Sequence, residues 1–206
     1  MRPVMLTETG GAAQPLFLDF VNTLHWYEGA PIELIGTQAD LAAWLAEHAL
    51  PTVLPEGGLA ALHALRAHAR RATEALANGQ APAAADLAAL NAALGAPAGR
   101  LALLDLDTPR PQLAFQLDGN ERAVAAFRIA LSFANFLKRE PGERRRLKLC
   151  ANPGCGFAFL DTSINGTRRW CYMRFCGNRL KARAFRRRRT ERARPPGRVA
   201  PSPGDL

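Results

Sequence analysis

The chain has 206 residues, enough for one core-bearing domain and a small accessory module. Its apolar fraction of 48% excludes wholesale disorder, and no uninterrupted apolar run approaches the ~20 residues a membrane helix needs. The formal charge of +9 is unevenly placed: Arg144 to Arg198 holds 17 basic and 2 acidic residues (+15), the remainder 10 basic and 16 acidic (−6).

Met1-Arg2-Pro3-Val4-Met5-Leu6 is followed by Thr7, Glu8 and Thr9, so no apolar export core forms. A cytoplasmic protein with reduced thiols is expected. Residues 1–14 read as a loose, flexible arm. After Pro15, Leu16, Phe20 and Leu24 recur at i, i+4, i+8, which favours a buried first helix, although so short a run also fits a strand. Ile32 to Ile35 is a short extended segment ending at Gly36. Thr37 caps a helix that presents Leu41, Trp44, Leu45 and His48, with Pro51 just beyond its end. Leu59 to Asn78 carries Leu59, Leu62, Leu65, Ala69, Ala72 and Leu76 at helical spacing, and Asn78-Gly79 supplies the stop. Pro82 to Leu94 repeats the pattern with Leu87, Leu90 and Leu94 inward. Leu101–Leu104 and Gln112–Leu117 form a strand pair across a turn rich in Asp and Pro. Gly119-Asn120 opens a long helix to about Arg139, packing through Val124, Phe127, Leu131, Ala134 and Leu137 or their neighbours. Pro141-Gly142 ends it and marks a boundary. The expected fold class is mainly α with a small β-hairpin (α+β) over 15–141, then a treble-clef-like four-cysteine zinc module over 142–194, then a disordered tail over 195–206.

All four cysteines lie in the module, spaced Cys150-x4-Cys155, fifteen residues, Cys171-x4-Cys176. Two close pairs separated by a hairpin-sized segment are a structural-zinc signal. Asn152-Pro153-Gly154-Cys155 has the central Pro and Gly of a type II turn. Phe157–Leu160 and Arg168–Trp170 flank Asn165-Gly166, which predicts a hairpin between the pairs, and the chain is helical from Asn178. One structural Zn2+ on Cys150, Cys155, Cys171 and Cys176 is expected, with an iron–sulfur cluster, disulfides or inert buried cysteines as the alternatives. Four thiolates leave no open coordination position, which argues against zinc catalysis.

Genome base composition can enrich arginine, and only three of the 27 basic residues are lysine. Base composition would not, however, sort the two signs into an acidic body and a basic segment. That split is the electrostatic footprint of a polyanion binder. On a helix Arg179, Arg183, Arg186 and Arg187 share one face, and with Arg168, Arg169 and Lys181 they are the candidate nucleic-acid contacts. Part of this charge compensates the −2 of a four-thiolate zinc, but about +13 then remains over the module. Arginines on phosphate position a protein without choosing a sequence.

Cys150-Ala151-Asn152-Pro153-Gly154-Cys155, Leu160-Asp161-Thr162-Ser163, Arg168-Arg169-Trp170-Cys171 and Cys176-Gly177-Asn178-Arg179 closely resemble the CGNR zinc-finger family. Leu18-Asp19-Phe20-Val21-Asn22-Thr23 resembles the opening motif of its N-terminal companion, the ABATE domain. The resemblance implies a stress-induced bacterial transcription regulator, a DNA-binding finger and the four cysteines as metal ligands.

Asp19, Asn22 and Thr23 either line a small-molecule pocket or satisfy neighbouring backbone, and His25-Trp26-Tyr27 either extends that pocket or joins the core. His63 and His68 lack metal-ligand spacing, and no phosphate loop, nucleophile elbow or His-Glu-x-x-His run is present, so an enzyme is not expected. The expected partners are DNA, a small-molecule effector and a second copy of the chain, with no membrane. Two rival readings stay open: a small-molecule-binding protein or enzyme whose finger is only structural, and an RNA- or protein-binding finger. Exposed aromatics beside the basic face, such as Trp170, Tyr172 or Phe185, would favour single-stranded RNA.

Overall fold

The computed structural model describes residues 3–5, 14–96, 99–104, 112–117 and 123–193. They fall into two compact units, one ending at Cys171 and the other beginning at Tyr172. The first unit is mainly helical with three small antiparallel sheets.

Helix α1 (Leu16–Val21) buries Phe17, Leu18, Phe20 and Val21. It stops before Leu24, which instead opens strand β2 (Leu24–Tyr27). Strand β2 pairs with β3 (Ala30–Glu33) across Glu28-Gly29, whose positive φ values of 57° and 87° are those of a tight two-residue hairpin loop. Thr37 caps α2 (Gln38–Glu47): its hydroxyl accepts from the Asp40 amide at 3.2 Å while the Asp40 carboxylate accepts from the Thr37 amide at 3.0 Å. Helices α3 (Gly58–Ala77), α4 (Ala84–Gly95) and α5 (Val124–Leu137) complete the helical layer. Strands β4 (Gly99–Leu104) and β5 (Gln112–Leu117) pair as expected. Pro3–Met5, placed by sequence within a loose arm, adds to the far edge of β5 as β1. The expected helix opening at Gly119-Asn120 lies outside the described residues, as do residues 1–2, 6–13 and the tail from 194.

The core gathers α1, α2, α3 and α5 around aromatic rings, with Phe17 edge-on to Phe133 at 5.1 Å. From α5, Ala125, Ile129, Ala130, Phe133 and Phe136, mostly neighbours of the expected positions, enter the main core. Val124 and Phe127 form a separate cluster with Leu94 and Leu131. Both faces of this helix are apolar, so each buries residues of its own.

After the short α6 (Pro141–Arg144), strand β6 (Leu147–Leu149) pairs with β7 (Ala158–Leu160). This corrects the expected hairpin. The pairing runs across the first cysteine pair, and Arg168–Trp170 is not a strand. Asn165-Gly166 does turn, with Gly166 at φ 61° and its amide on the Ser163 carbonyl, but no ladder grows from it. Leu147 and Ala158 pack into the main core. The Asn22 carboxamide binds Ala158 twice, donating to its carbonyl at 2.8 Å and accepting from its amide at 2.9 Å, as a neighbouring strand would.

In the second unit, one π-helical turn (Met173–Gly177) runs into helix α7 (Asn178–Ala193). The amides of Cys176 and Gly177 both reach the Tyr172 carbonyl, at 2.9 and 3.4 Å.

Candidate metal centre and basic surface

The sulfurs of Cys150, Cys155, Cys171 and Cys176 all lie within 4.8 Å of one another, and all four residues are buried. Tetrahedral zinc at ~2.3 Å from each sulfur requires S···S separations of roughly 3.8 Å. Cys155 and Cys171 stand 3.6 Å apart, close to that value and far beyond a disulfide bond of ~2.05 Å.

Backbone geometry sets this arrangement. The Cys155 amide closes a turn on the Asn152 carbonyl at 3.0 Å, and the Cys150 amide bonds the Phe157 carbonyl at 2.8 Å. Gly154 does not take a left-handed φ, so the turn is not the expected type II; Gly156 does, at 63°. A Cβ on Gly156 would lie 2.5 Å from the Trp26 ring, so only glycine fits there. The Ala151 amide reaches the Arg169 carbonyl at 2.8 Å and brings the approach to Cys171 alongside the first pair.

The electrostatics call for a cation. The Cys150 thiol is held low by hydrogen bonds from Cys155 and Cys171, with backbone amides of Cys171 and Asn152 assisting. Cys155 is pushed up to about 12 and Cys171 higher still, because each donates to a thiolate beside it and is desolvated. The protein alone therefore favours a thiolate at Cys150 and disfavours one at Cys155 or Cys171. A divalent soft cation is what lets all four ionise. The donor set of four buried sulfurs fits one structural zinc.

A model of the ABATE domain, described as "Putative stress-induced transcription regulator", matches residues 14–140. The chain belongs to the ABATE family. A CGNR zinc-finger model matches residues 146–189, which contain all four cysteines of this ABATE protein. No curated protein matches the sequence.

Sequence reasoning passed over the residue that organises the loop between the cysteine pairs. Asp161 is fully buried and accepts from the Lys148 ammonium at 2.7 Å, the Ser163 amide at 3.0 Å, the Ser163 hydroxyl at 2.5 Å and the Arg168 amide at 2.8 Å. Burial alone would raise its carboxyl, but these donors outweigh burial and hold it well below the usual range. Lys148 also reaches the carbonyls of Gly166 and Arg168, while Arg146 takes those of Asp161 and Ser163. The available signal was that Asp161 is one of only two acids in the +15 segment. Arg70 was missed too. It reaches the carbonyls of Gly156, Val21 and Leu24 and lies 5.0 Å from the Trp26 ring centre.

The candidate phosphate contacts of the ABATE chain divide. The Arg168 guanidinium is turned inward, over the Phe159 ring at 4.7 Å with its Nε on the Trp170 carbonyl at 2.9 Å. Arg169 is exposed against Trp170. On α7, Lys181, Arg183 and Arg186 are exposed and Arg179 is partly so. The side chain of Arg187 lies outside those described.

In the ABATE region, Asn22 and Thr23 are engaged by protein groups. Thr23 donates to the Phe20 carbonyl at 2.7 Å and accepts from Arg66 at 2.8 Å; the buried Arg66 in turn pairs with the more exposed Glu33. Asp19 is half-buried, and desolvation together with the Glu47 charge pushes its carboxyl up to about 6. None of the three lines the cavity of about 620 Å³ walled by Leu54, Leu62, Leu65, Ala93 and Ala125 with His68 at its edge. His68 is held there by Asp86 at 2.9 Å.

Asp19 gives a pH prediction. With a folded value near 6 against 3.8, the native state holds its proton more tightly than the unfolded chain across that window. Stability therefore falls as pH rises from about 4 to 6. Asp19→Asn should match wild type at pH 4 and exceed it at pH 7 by about 1 kcal/mol in urea unfolding, solvent screening at this half-buried position reducing the full value of the shift. Equal midpoints at pH 7 would contradict the shift.

Proposed function

We propose that this protein is a cytoplasmic, zinc-dependent DNA-binding transcription regulator. Its basic helix grips the phosphate backbone, and its ABATE domain senses a small-molecule effector or self-associates. The observation that carries the reading is the direct continuation of the buried four-sulfur cluster into α7, where Lys181, Arg183, Arg186, Arg188 and Arg189 are exposed. A metal-rigidified start presents these cations at fixed spacing, which lowers the ordering cost of meeting a phosphate array. The family description supports the regulatory role. No described helix is long and apolar enough to cross a membrane. The apolar cavity edged by His68 is of a size that suits a small effector. Four protein sulfurs would fill every position of a tetrahedral zinc, which supports a structural metal with no catalytic role, and we read the protein as not an enzyme.

Fluorescence anisotropy with a short DNA duplex, repeated from about 50 to 200 mM salt, tests the reading. The log–log slope should approach about −0.9 per phosphate neutralised. Arg183→Ala with Arg186→Ala should make it shallower by about two units. Negligible duplex binding at low salt would refute the proposal.

A further inference from the structure

Among the described residues of the first unit the phenylalanines are mostly hidden: Phe17, Phe20, Phe127, Phe133, Phe136 and Phe159 are all at most 5% exposed. The second unit reverses that pattern. Tyr172, Phe175 and Phe185 are 55%, 54% and 63% exposed, with Met173 beside them at 51%. Tyr172 and Phe175 meet edge to face at 6.3 Å, and the Arg174 guanidinium lies 5.9 Å from the Phe175 ring centre. On α7 the spacing i, i+4, i+7 places Phe185 in one row with Lys181 and Arg188, all three exposed. The segment 172–193 contains nine basic residues and one acid, a net of +8.

We propose that this surface binds single-stranded nucleic acid, with unpaired bases stacking on Phe185 and on the Tyr172–Phe175 pair while the neighbouring cations hold the phosphates. The proposal rests on the polyanion-binding reading above and goes past it, because a duplex keeps its base faces stacked and gives these rings nothing to cover. Charge identifies the partner as a polyanion, and ring exposure identifies one whose flat apolar faces are available. An anionic membrane is the weaker match. In α7 the only large apolar side chains are Leu180, which is partly buried, and Phe185, so the helix has no apolar face to sink among acyl chains.

The test uses the full zinc-loaded chain and anisotropy at about 100 mM salt with three labelled probes of equal length: oligo(dT), an abasic strand and a duplex. The abasic strand carries the phosphates without the bases. Oligo(dT) should bind at least tenfold tighter than the abasic strand, since each stacked base contributes roughly five- to a hundred-fold. Phe185→Leu, and Tyr172→Leu with Phe175→Leu, should each lower oligo(dT) affinity toward the abasic level and leave duplex affinity unchanged; Phe185→Trp should retain tight binding. Equal wild-type affinity for oligo(dT) and the abasic strand would overturn this proposal and leave the phosphate grip standing. That equality combined with tight binding to phosphatidylserine vesicles would assign the rings to a membrane and overturn base stacking just as fully. Failure to bind any of the three probes would overturn both readings.

Discussion

Removal of the metal is expected to unfold the ribbon around the cysteines while leaving the helical body folded. Four buried sulfurs lie within 4.8 Å of one another, and without a cation the Cys155 and Cys171 thiols are both pushed up, so the metal supplies the main attraction that holds the cluster together. Structural zinc of this kind supplies on the order of 10 kcal/mol of apparent binding free energy. Most of the main core, including the aromatic rings on α1 and α5, comes from the body, with Leu147 and Ala158 the buried contributions of the ribbon. A chelator should therefore strip amide-exchange protection from about 146 to 177 and spare α1 to α5. Cys171→Ser and Cys176→Ser should do the same without chelator. Mass spectrometry should find one zinc per wild-type chain. Protection unchanged after the metal has demonstrably gone would contradict the assignment.

The second large effect falls on Asp161. Replacing it with alanine leaves the Lys148 ammonium, two amides and a hydroxyl without their acceptor at a fully buried position. Breaking a buried ion pair from one side costs about 3–5 kcal/mol. Asp161→Asn retains an acceptor for the amides but turns its amide group toward the ammonium, so it should fall between wild type and alanine. The loop it fastens delivers Arg168, Arg169 and Cys171 to the cluster, so zinc affinity should fall about 10–100-fold in competition with a chromogenic chelator. An alanine variant with wild-type melting temperature and zinc affinity would show that the loop holds by other means.

The metal ligands were legible because their signal is local: equal spacing of four soft donors implies one site whatever surrounds it. Thr37 was legible for the same reason, its Asp40 partner lying three residues away. The reading failed where distant groups decide. Asn165-Gly166 is a strong hairpin signal, yet Lys148 and Asp161 occupy the carbonyls and amides that a ladder from it would have used. Strand β2 was missed because Glu28-Gly29 is a weaker turn signal than Asn-Gly and the preceding residues continued a helical pattern. Asp19, Asn22 and Thr23 stood out as polar groups in an apolar run. Their spacing could not reveal that Asn22 would address Ala158, 136 residues away.

That bracket between Asn22 and Ala158, with Leu147 and Ala158 set into the body's own interior, bears on how such proteins can evolve. A module that shares an interior with its host is not a cassette for genetic shuffling. Grafted elsewhere, the ribbon would expose an oily edge and a raw strand. Left behind, the host would keep an amide group with nothing to read. The two stretches of sequence must travel together, and changes at either end of the bracket should arise in pairs.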